Sequence, residues 1–175
     1  MFKKIAIAIA VIIAAVLIYA GTRPDTFRVE RTASIKAPPE RLFAMINDLQ
    51  NWRAWSPYEK KDPAMQRTLS APTGGKGATY AWDGNKDVGQ GRMEIVESVP
   101  PSKVTIKLDF LKPFEAHNTA EFTLEPRGEA TAVTWSIYGP QPYVSKVMSI
   151  FLDFDTMIGQ DFEAGLANLK TLAEK

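Results

Sequence analysis

The sequence has no cysteine and only one histidine, His117. Without cysteine the chain cannot form a disulfide, a thiolate metal site or a cysteine nucleophile. A zinc site with a single histidine would need several carboxylate ligands, so we predict no metal site and no cofactor. These absences leave mainly aromatic, apolar and acidic side chains as candidates for function.

An excess of charge of either sign is also missing. The chain has 21 lysine and arginine residues against 20 aspartate and glutamate residues, and its formal net charge is +1. This balance gives no electrostatic reason to predict a nucleic-acid partner or an acidic partner. The 175 residues, of which 45% are hydrophobic, are enough for one folded domain with a real core.

The strongest pattern in the sequence is an apolar run near the N-terminus. Residues 5–20 contain no charged and no strongly polar side chain. A helix of this length rises about 24 Å, slightly less than the thickness of a bilayer's hydrocarbon core, which is about 30 Å. The run is typical of an uncleaved signal anchor, or of a signal peptide cleaved after Ile18, Tyr19 and Ala20. The length of the run and the isoleucine three residues before the cut favour the anchor.

The chain is therefore divided into three parts. Residues 1–22 are predicted to be a transmembrane signal anchor, residues 23–26 a linker, and residues 27–175 one folded domain. Lys3 and Lys4 precede the apolar run, and little positive charge follows it closely. The positive-inside rule therefore predicts a cytoplasmic N-terminus and a domain outside the cytoplasm.

The folded domain is predicted to be an α+β structure. Residues 27–35 alternate between apolar and polar side chains as in a half-buried strand, and a helix is expected to begin at Pro38 and Pro39. A second short helix and five or six further strands with turn-like links follow. From Tyr143 to about Glu174, apolar residues recur at helical spacing, which predicts one helix about 48 Å long. A curved antiparallel sheet is expected to hold this helix in its concave face.

Distinctive stretches follow one another along the domain: ASIKAPPERLFAMINDLQNWRAWSP, GKGATYAWDGNKDVGQGRMEIVESVPPSKV, FTLEP with TAVTWSIYG, and DFEAGLANLK. Together with the predicted order of elements, they resemble the START-like superfamily, also called SRPBCC or helix-grip. Within it, the chain is similar to the polyketide cyclase/dehydrase and lipid-transport group. The resemblance covers residues 27 to about 172 and implies a helix-grip fold around a cavity for an apolar small molecule. It implies no particular reaction, because the superfamily includes carriers, sensors and enzymes.

The segment DLQNWRAWSPY holds aromatic rings in a polar context, at Trp52, Trp55 and Tyr58. These rings either plug the rim of the sheet or form a lid or wall at the mouth of the cavity. Other large apolar residues face each other across the predicted grip, as core or as cavity lining. The predicted ligand-cavity residues are Trp52, Trp55, Tyr80, Trp82, Met93, Phe110, Phe122, Trp135, Phe151, Phe154, Met157 and Ile158.

Asp155, Asp161 and His117 are the candidates for catalysis. The two aspartates lie about 60° to either side of Ile158 on the predicted C-terminal helix. They are either solvated or salt-bridged edge residues, or a polar anchor inside the cavity, with Arg31 on the inner face of the first strand as a partner. A carboxyl with a raised pKa in such a place can supply acid–base chemistry. His117 opens a strand, where a histidine is more often a surface residue.

Three functions fit the sequence. The first, which we predict, is a membrane-tethered domain that binds a lipid or another hydrophobic small molecule by burying apolar surface. The second is a polyketide cyclase or dehydratase-like enzyme that uses cavity carboxylates, and the lack of converging titratable residues counts against it. The third is a domain with a filled cavity that contacts a protein partner through an exposed apolar patch at Trp52 and Phe114.

Overall fold

A seven-stranded antiparallel sheet forms the framework of the domain, with strands in the order β1-β7-β6-β5-β4-β3-β2. The computed structural model describes residues 2–175. The prediction of an α+β helix-grip fold, with a curved sheet around a C-terminal helix, is confirmed. In chain order the elements are α1 (Phe2–Gly21), β1 (Thr26–Ile35), α2 (Pro39–Asn47), α3 (Trp52–Trp55), α4 (Pro57–Lys61), β2 (Gln66–Leu69), β3 (Thr79–Asp83), β4 (Gln90–Val99), β5 (Lys103–Lys112), β6 (Ala116–Arg127), β7 (Ala130–Pro140), α5 (Tyr143–Phe151) and α6 (Phe154–Ala173).

The register of the strands aligns rows of side chains on the concave face. One row runs from Arg31 on β1 through Trp135 on β7 and Phe122 on β6 to Val104 on β5. Because side chains alternate between the two faces of a strand, every member of this row points towards α6. Strand β4 has two register shifts against β5, and such bulges increase the local bend of a sheet.

The region between β1 and β2 contains more helical segments, and shorter ones, than the two helices that the sequence predicts. Helix α2 begins with Pro39 in its first turn and buries Leu42, Phe43 and Ile46, as its spacing predicts. A 3-10 turn at Leu49–Asn51 and the short helices α3 and α4 follow. Ser56 is extended because it precedes Pro57, which disfavours helical backbone in the residue before it.

The single C-terminal helix predicted from Tyr143 to Glu174 is wrong, because the chain breaks between α5 and α6. Leu152 is extended, and the side chain of Asp153 accepts hydrogen bonds from the Thr156 backbone N–H at 3.0 Å and from its hydroxyl at 2.7 Å. An aspartate in this position caps a new helix N-terminus. Helix α6 is therefore about 30 Å long and is separate from α5.

Two glycines let α6 lie close against the sheet. A Cβ atom at Gly159 would overlap the guanidinium of Arg31. A Cβ atom at Gly165 would lie 2.6 Å from the Cζ3 atom of Trp135 and 3.0 Å from the Cδ atom of Pro57. The missing side chains therefore leave room for an arginine on β1 and a tryptophan on β7 beneath the helix.

Helix α1 is long and apolar enough to cross a membrane by length and composition, which is a property of membrane anchors and of signal sequences. Its side chains are exposed along almost the whole length, and Ala20 alone is buried among its described residues. Its C-terminal end packs against α5, where the Tyr143 hydroxyl donates to the Leu17 carbonyl at 2.7 Å. Close to this contact, buried Lys146 of α5 forms an ion pair with Asp25.

Candidate ligand-binding site

Two adjacent spaces lie on the concave face of the sheet. The first, here called the inner cavity, has a volume of about 170 Å³, and the second, the outer groove, has about 1070 Å³. Phe162 of α6 lines the inner cavity, and Ile158, about one helical turn earlier, lines the outer groove. Likewise Ile137 lines the inner cavity and its cross-strand neighbour Val29 lines the outer groove.

The wall of the inner cavity is mostly aromatic and aliphatic. It is built by α3 and α4 on one side, by β3 to β7 on another, and by α6. A concave apolar site with a few polar groups is the usual form of a small-molecule site. The lining residues are Trp52, Ser56, Tyr58, Glu59, Met65, Tyr80, Trp82, Asp87, Val88, Met93, Leu108, Phe110, Ala120, Trp135, Ile137 and Phe162.

Cross-strand packing orients Trp82 in this wall. Trp82 pairs with Gly91 of β4, and a Cβ atom at Gly91 would lie 2.5 Å from the Cη2 atom of the indole. The indole therefore lies flat over the glycine, and its Nε1 donates to the Val88 carbonyl at 3.1 Å. Phe110 meets the same ring edge to face, with the ring centroids 5.8 Å apart. These contacts hold Trp82 in one orientation beside the cavity.

An aromatic cluster closes the deep end of the inner cavity. Trp52 and Trp55 lie with ring centroids 4.8 Å apart, and Trp135 stacks on Phe162 at 4.1 Å and on Phe122 at 4.9 Å. The indole nitrogens of Trp52 and Trp55 donate to carbonyls at the end of α2, at 2.8 Å and 3.2 Å. Trp55 therefore acts as a plug, whereas Trp52 is both a part of this cluster and a wall of the cavity.

One polar cluster lies at the side of the inner cavity. The Tyr80 hydroxyl donates to Glu59 Oε1 at 2.8 Å, and Arg67 Nε donates to Glu59 Oε2 at 2.7 Å. Burial raises the pKa of Tyr80, and the hydrogen bond to Glu59 raises it further, so the hydroxyl stays protonated and remains a donor. Both oxygens of Glu59 already accept hydrogen bonds, so its carboxylate serves as the counter-ion of Arg67 and is not a free base. The cluster thus gives the cavity one orienting polar side.

The outer groove is open and has a different wall. It lies between the first residues of β1, the turn between β5 and β6, and helix α5. Phe114, Val144 and Phe151 line it while being largely exposed to solvent. The groove therefore presents apolar side chains on its rim as well as inside.

The predicted cavity residues fall into three groups. Trp55 and Phe122 are fully buried in the aromatic cluster and line neither space, and Met157 is exposed and also lines neither. Phe151, Phe154 and Ile158 line the outer groove. Those that line the inner cavity are Trp52, Tyr80, Trp82, Met93, Phe110 and Trp135.

The aspartate candidates for catalysis are held in ion pairs. Asp155 accepts from Arg31 at 2.9 Å at the edge of the outer groove, and Arg31 also contacts Glu163 at 2.9 Å. These hydrogen bonds raise the pKa of Arg31, which remains a cation. Asp161 contacts Lys61 at 2.6 Å and lines neither space.

His117 lies on the convex side of β6, near the start of the strand, where it also lines the outer groove. Its Nδ1 lies 2.7 Å from Oδ1 of Asp109, a buried carboxylate on the neighbouring strand β5. This hydrogen bond lowers the pKa of Asp109, and contacts with Arg92 and Lys107 add to the effect. The three catalytic candidates have different partners: Asp155 and His117 both line the outer groove, each held by its own partner, and Asp161 lines neither space.

Several residues of the inner cavity were not among the predicted ones. Leu108, Ala120, Ile137 and Phe162 lie on apolar faces that the periodicity does identify, but periodicity does not separate core from cavity lining. Glu59 had no signal in the sequence, because its partners come from β2 and β3. Among residues 2–175, no group of three or more acidic or histidine side chains could hold a metal ion.

The two residues of the predicted protein-contact patch, Trp52 and Phe114, do not share one exposed surface. Phe114 is exposed, but Trp52 is buried in the aromatic cluster. No patch that connects these two rings exists on the surface formed by residues 2–175.

One hydrogen-bond donor in the wall of the inner cavity is unpaired. The buried Nε1 of Trp135 has no hydrogen-bond partner among residues 2–175.

Solved structures of other proteins share this fold at low sequence identity. CV1439 from Chromobacterium violaceum is 16% identical, with a TM-score of 0.59 over 87% of this chain and 99% of that one. The Aha1 dimer from Colwellia psychrerythraea is 16% identical, with a TM-score of 0.59 over 85% and 96%. The di-domain ARO/CYC protein BexL from the BE-7585A biosynthetic pathway is 15% identical, with a TM-score of 0.61 over 90% of this chain and 53% of that one.

Sequence comparison gives the family. No curated protein sequence matches the chain significantly. The family described as polyketide cyclase / dehydrase and lipid transport matches residues 26–174, which is the whole folded domain without α1. The resemblance noted in the sequence is thereby confirmed, and the protein belongs to the polyketide cyclase/dehydrase and lipid-transport family.

Proposed function

We propose that this protein is a membrane-tethered binding domain that holds the apolar part of a lipid or another hydrophobic small molecule in the inner cavity. The observation that carries the proposal is an apolar cavity beside a wide groove with an apolar rim. The cavity offers the apolar group a place away from water, and the groove offers room for the rest of the molecule. A preformed site of this kind loses little binding energy to reorganisation.

The volume of the inner cavity limits what enters it. A cavity of about 150 Å³ in another protein accommodates one benzene molecule. The inner cavity, at about 170 Å³, therefore suits one ring or the end of an acyl chain, and a larger ligand extends into the outer groove. Burial of an apolar group of this size contributes about 1.5–3 kcal/mol. The paired Tyr80 and Glu59 orient the ligand from the side.

The tether in this proposal is α1, inserted as an uncleaved anchor. Its length and composition suit a bilayer, and Lys3 and Lys4 precede its apolar part. The positive-inside rule then keeps the N-terminus in the cytoplasm and the binding domain on the other side of the membrane. The adjacent bilayer is the source of an apolar ligand.

An enzymatic function is less well supported. The designation ARO/CYC occurs among structures with the same fold, but at this identity it indicates the fold alone. Asp155 and Asp161 are ion-paired, and Glu59 is held by Tyr80 and Arg67. A general base needs a lone pair directed at its substrate; both oxygens of Asp155 and of Glu59 already accept hydrogen bonds within the protein, and Asp161 lines neither space.

The position of the tryptophans provides a direct test. The sequence has four tryptophans, and all of them lie in the walls of the inner cavity or in the adjoining aromatic cluster. Bromine quenches tryptophan fluorescence at short range. We expect a long-chain fatty acid brominated at its terminal carbon to quench the fluorescence of the full chain in lipid nanodiscs. A short, water-soluble brominated acid should not.

A matched pair of variants locates the quenching. Val88 lines the inner cavity, whereas Val96, also on the β3–β4 side of the sheet, lines neither space. Val88→Phe should fill the cavity and reduce quenching severalfold, and Val96→Phe should leave it unchanged. If wild-type fluorescence is not quenched, or if both variants behave alike, the inner cavity does not bind the acyl chain.

A further inference from the structure

We propose that α5 and the turn between β5 and β6 form a membrane-docking surface that rests in the interfacial layer of the bilayer beside α1 and holds the mouth of the outer groove against the lipid. This inference rests on the proposed anchoring by α1. It goes further because it assigns a bilayer contact to the folded domain itself. We call this surface, formed by Phe114, Val144, Phe151 and Leu152, the docking face.

The docking face is an unusual concentration of exposed apolar side chains. Phe114 is 72% exposed, Phe151 69% and Val144 68%. All of them line the outer groove, so they surround one opening and are not scattered singly over the surface. A contiguous apolar rim of this kind marks a site of contact with another apolar phase.

The position of α1 identifies that phase as lipid. Helix α5 packs on the last turns of α1, and Tyr143 at its start donates to the carbonyl of Leu17. Leu17 lies four residues before Gly21, the end of α1, which corresponds to about 6 Å along the helix. The interfacial layer on each side of a bilayer is about 5–7 Å thick. With α1 inserted and its apolar run inside the hydrocarbon core, Leu17 lies near the outer end of that core, so α5, which packs on it, lies where the core meets this layer.

The charges agree with a surface placed in this layer. The only charged residue of α5 is Lys146, which is buried and paired with Asp25. Around the mouth of the groove, the charged side chains are Arg23, Arg28, Glu115, Asp153 and Asp155. Because two arginines face three carboxylates, the docking face has no strong excess of positive charge. Docking should then depend on insertion of apolar side chains and little on anionic lipid.

The absence of cysteine makes site-directed spin labelling direct, since each variant carries one label. We would label Val144→Cys on the docking face and Val99→Cys as its matched control, in the full chain in phosphatidylcholine nanodiscs. Val99 is also an exposed valine but lies where β4 meets the turn to β5, at the other end of the sheet. Ile12→Cys, in the exposed middle of α1, reports on anchoring.

The measured quantity is the ratio of collision rates with oxygen, which partitions into lipid, and with a water-soluble nickel chelate. We expect the ratio at Val144→Cys to exceed that at Val99→Cys several-fold, and to change little when anionic lipid is added. Phe114→Cys should give a ratio similar to that of Val144→Cys. Because Phe114 lies outside α5, it serves as the control for a local disturbance of that helix by the label.

The outcomes separate the two proposals. A lipid-like ratio at Ile12→Cys with water-like ratios at Val144→Cys and Phe114→Cys would refute docking and leave the anchor standing. A water-like ratio at Ile12→Cys would refute the anchor, and with it the docking face. Lipid-like ratios at all three positions, with a water-like ratio at Val99→Cys, are the result that the proposal requires.

Discussion

The two ends of the concave face are built from the same kinds of side chain, but these side chains are buried at one end and exposed at the other. At the deep end, Trp52, Trp55 and Trp135 pack ring against ring, and Trp55 is 0% exposed. At the open end, Phe114 and Phe151 point into solvent around a groove of about 1070 Å³. Aromatic content alone therefore does not show which end stabilises the fold.

The deep end contributes to the stability of the fold, whereas the open end leaves its side chains accessible. Close-packed rings at the deep end bury large apolar areas and hold α6 on the sheet. The open end gives up that burial, and its apolar side chains remain exposed. A substitution at the deep end should then change the free energy of unfolding, whereas a substitution at the open end should change it little.

The comparison predicts its largest effect at Trp55. Trp55→Ala removes a fully buried indole and should lower the free energy of unfolding by about 3–5 kcal/mol. Urea titration followed by circular dichroism measures this value. Trp55→Phe serves as the control, since it keeps a ring in place and should cost clearly less. A loss below about 1 kcal/mol for Trp55→Ala would mean that the cluster does not stabilise the domain.

Breaking the buried ion pair beside the inner cavity should have the next largest effect. Arg67→Met leaves the buried carboxylate of Glu59 without its cation, at a cost of about 3 kcal/mol. The double variant Glu59→Gln with Arg67→Met should recover part of the loss, because no unpaired charge remains buried. Equal losses in the single and double variants, measured by urea titration, would show that packing of the arginine matters and its charge does not.

A polar contact near the open end tests the comparison through the pH dependence of the free energy of unfolding. Asp109→Asn should lower the free energy of unfolding at neutral pH by about 2 kcal/mol, because hydrogen bonds to a buried charge are lost. The folded state lowers the pKa of Asp109, chiefly through the hydrogen bond with His117. Its contribution is therefore present above pH 4 and is lost as the pH falls below the usual aspartate range.

Urea titrations of Asp109→Asn and the wild type at pH 7 and at pH 3 measure this effect. The difference between the two proteins should shrink at the lower pH. A constant difference would show that the aspartate acts through packing and not through its charge.

The smallest effect is expected at the docking face. Phe151→Ala should change the free energy of unfolding in detergent by less than about 0.5 kcal/mol, because the ring is 69% exposed. The same measurement on Trp55→Ala provides the contrast. A loss at Phe151 comparable with that at Trp55 would remove the distinction between the two ends.

Local periodicity was sufficient to predict most of the fold. Alternation along residues 27–35 and the spacing of Leu42, Phe43 and Ile46 depend on neighbours in the sequence, and both are found in the structure. The break between α5 and α6 was missed because the apolar spacing continues across it. The aspartate at position 153 with Thr156 three residues later was the available signal for a new helix N-terminus.

The candidate site was harder to predict, because its contacts join distant parts of the chain. The inner-facing rings of β3 and β7 follow from strand alternation. Whether such a ring lines a cavity or fills the core depends on what lies opposite, as the contrast between Trp52 and Trp55 shows. The pairing of Arg67 with Glu59 requires the position of α4 over β2, which no local pattern contains.

The connection between α1 and β1 has a consequence for transport. Helix α1 ends at Gly21 and β1 begins at Thr26, so the two elements are at most about 18 Å apart when the connecting chain is fully extended. With α1 inserted, the domain cannot leave its own bilayer surface or reach a second membrane. Under the proposed function, the domain presents or stores its ligand at that surface, and delivery over a longer distance requires a mobile acceptor that comes to it.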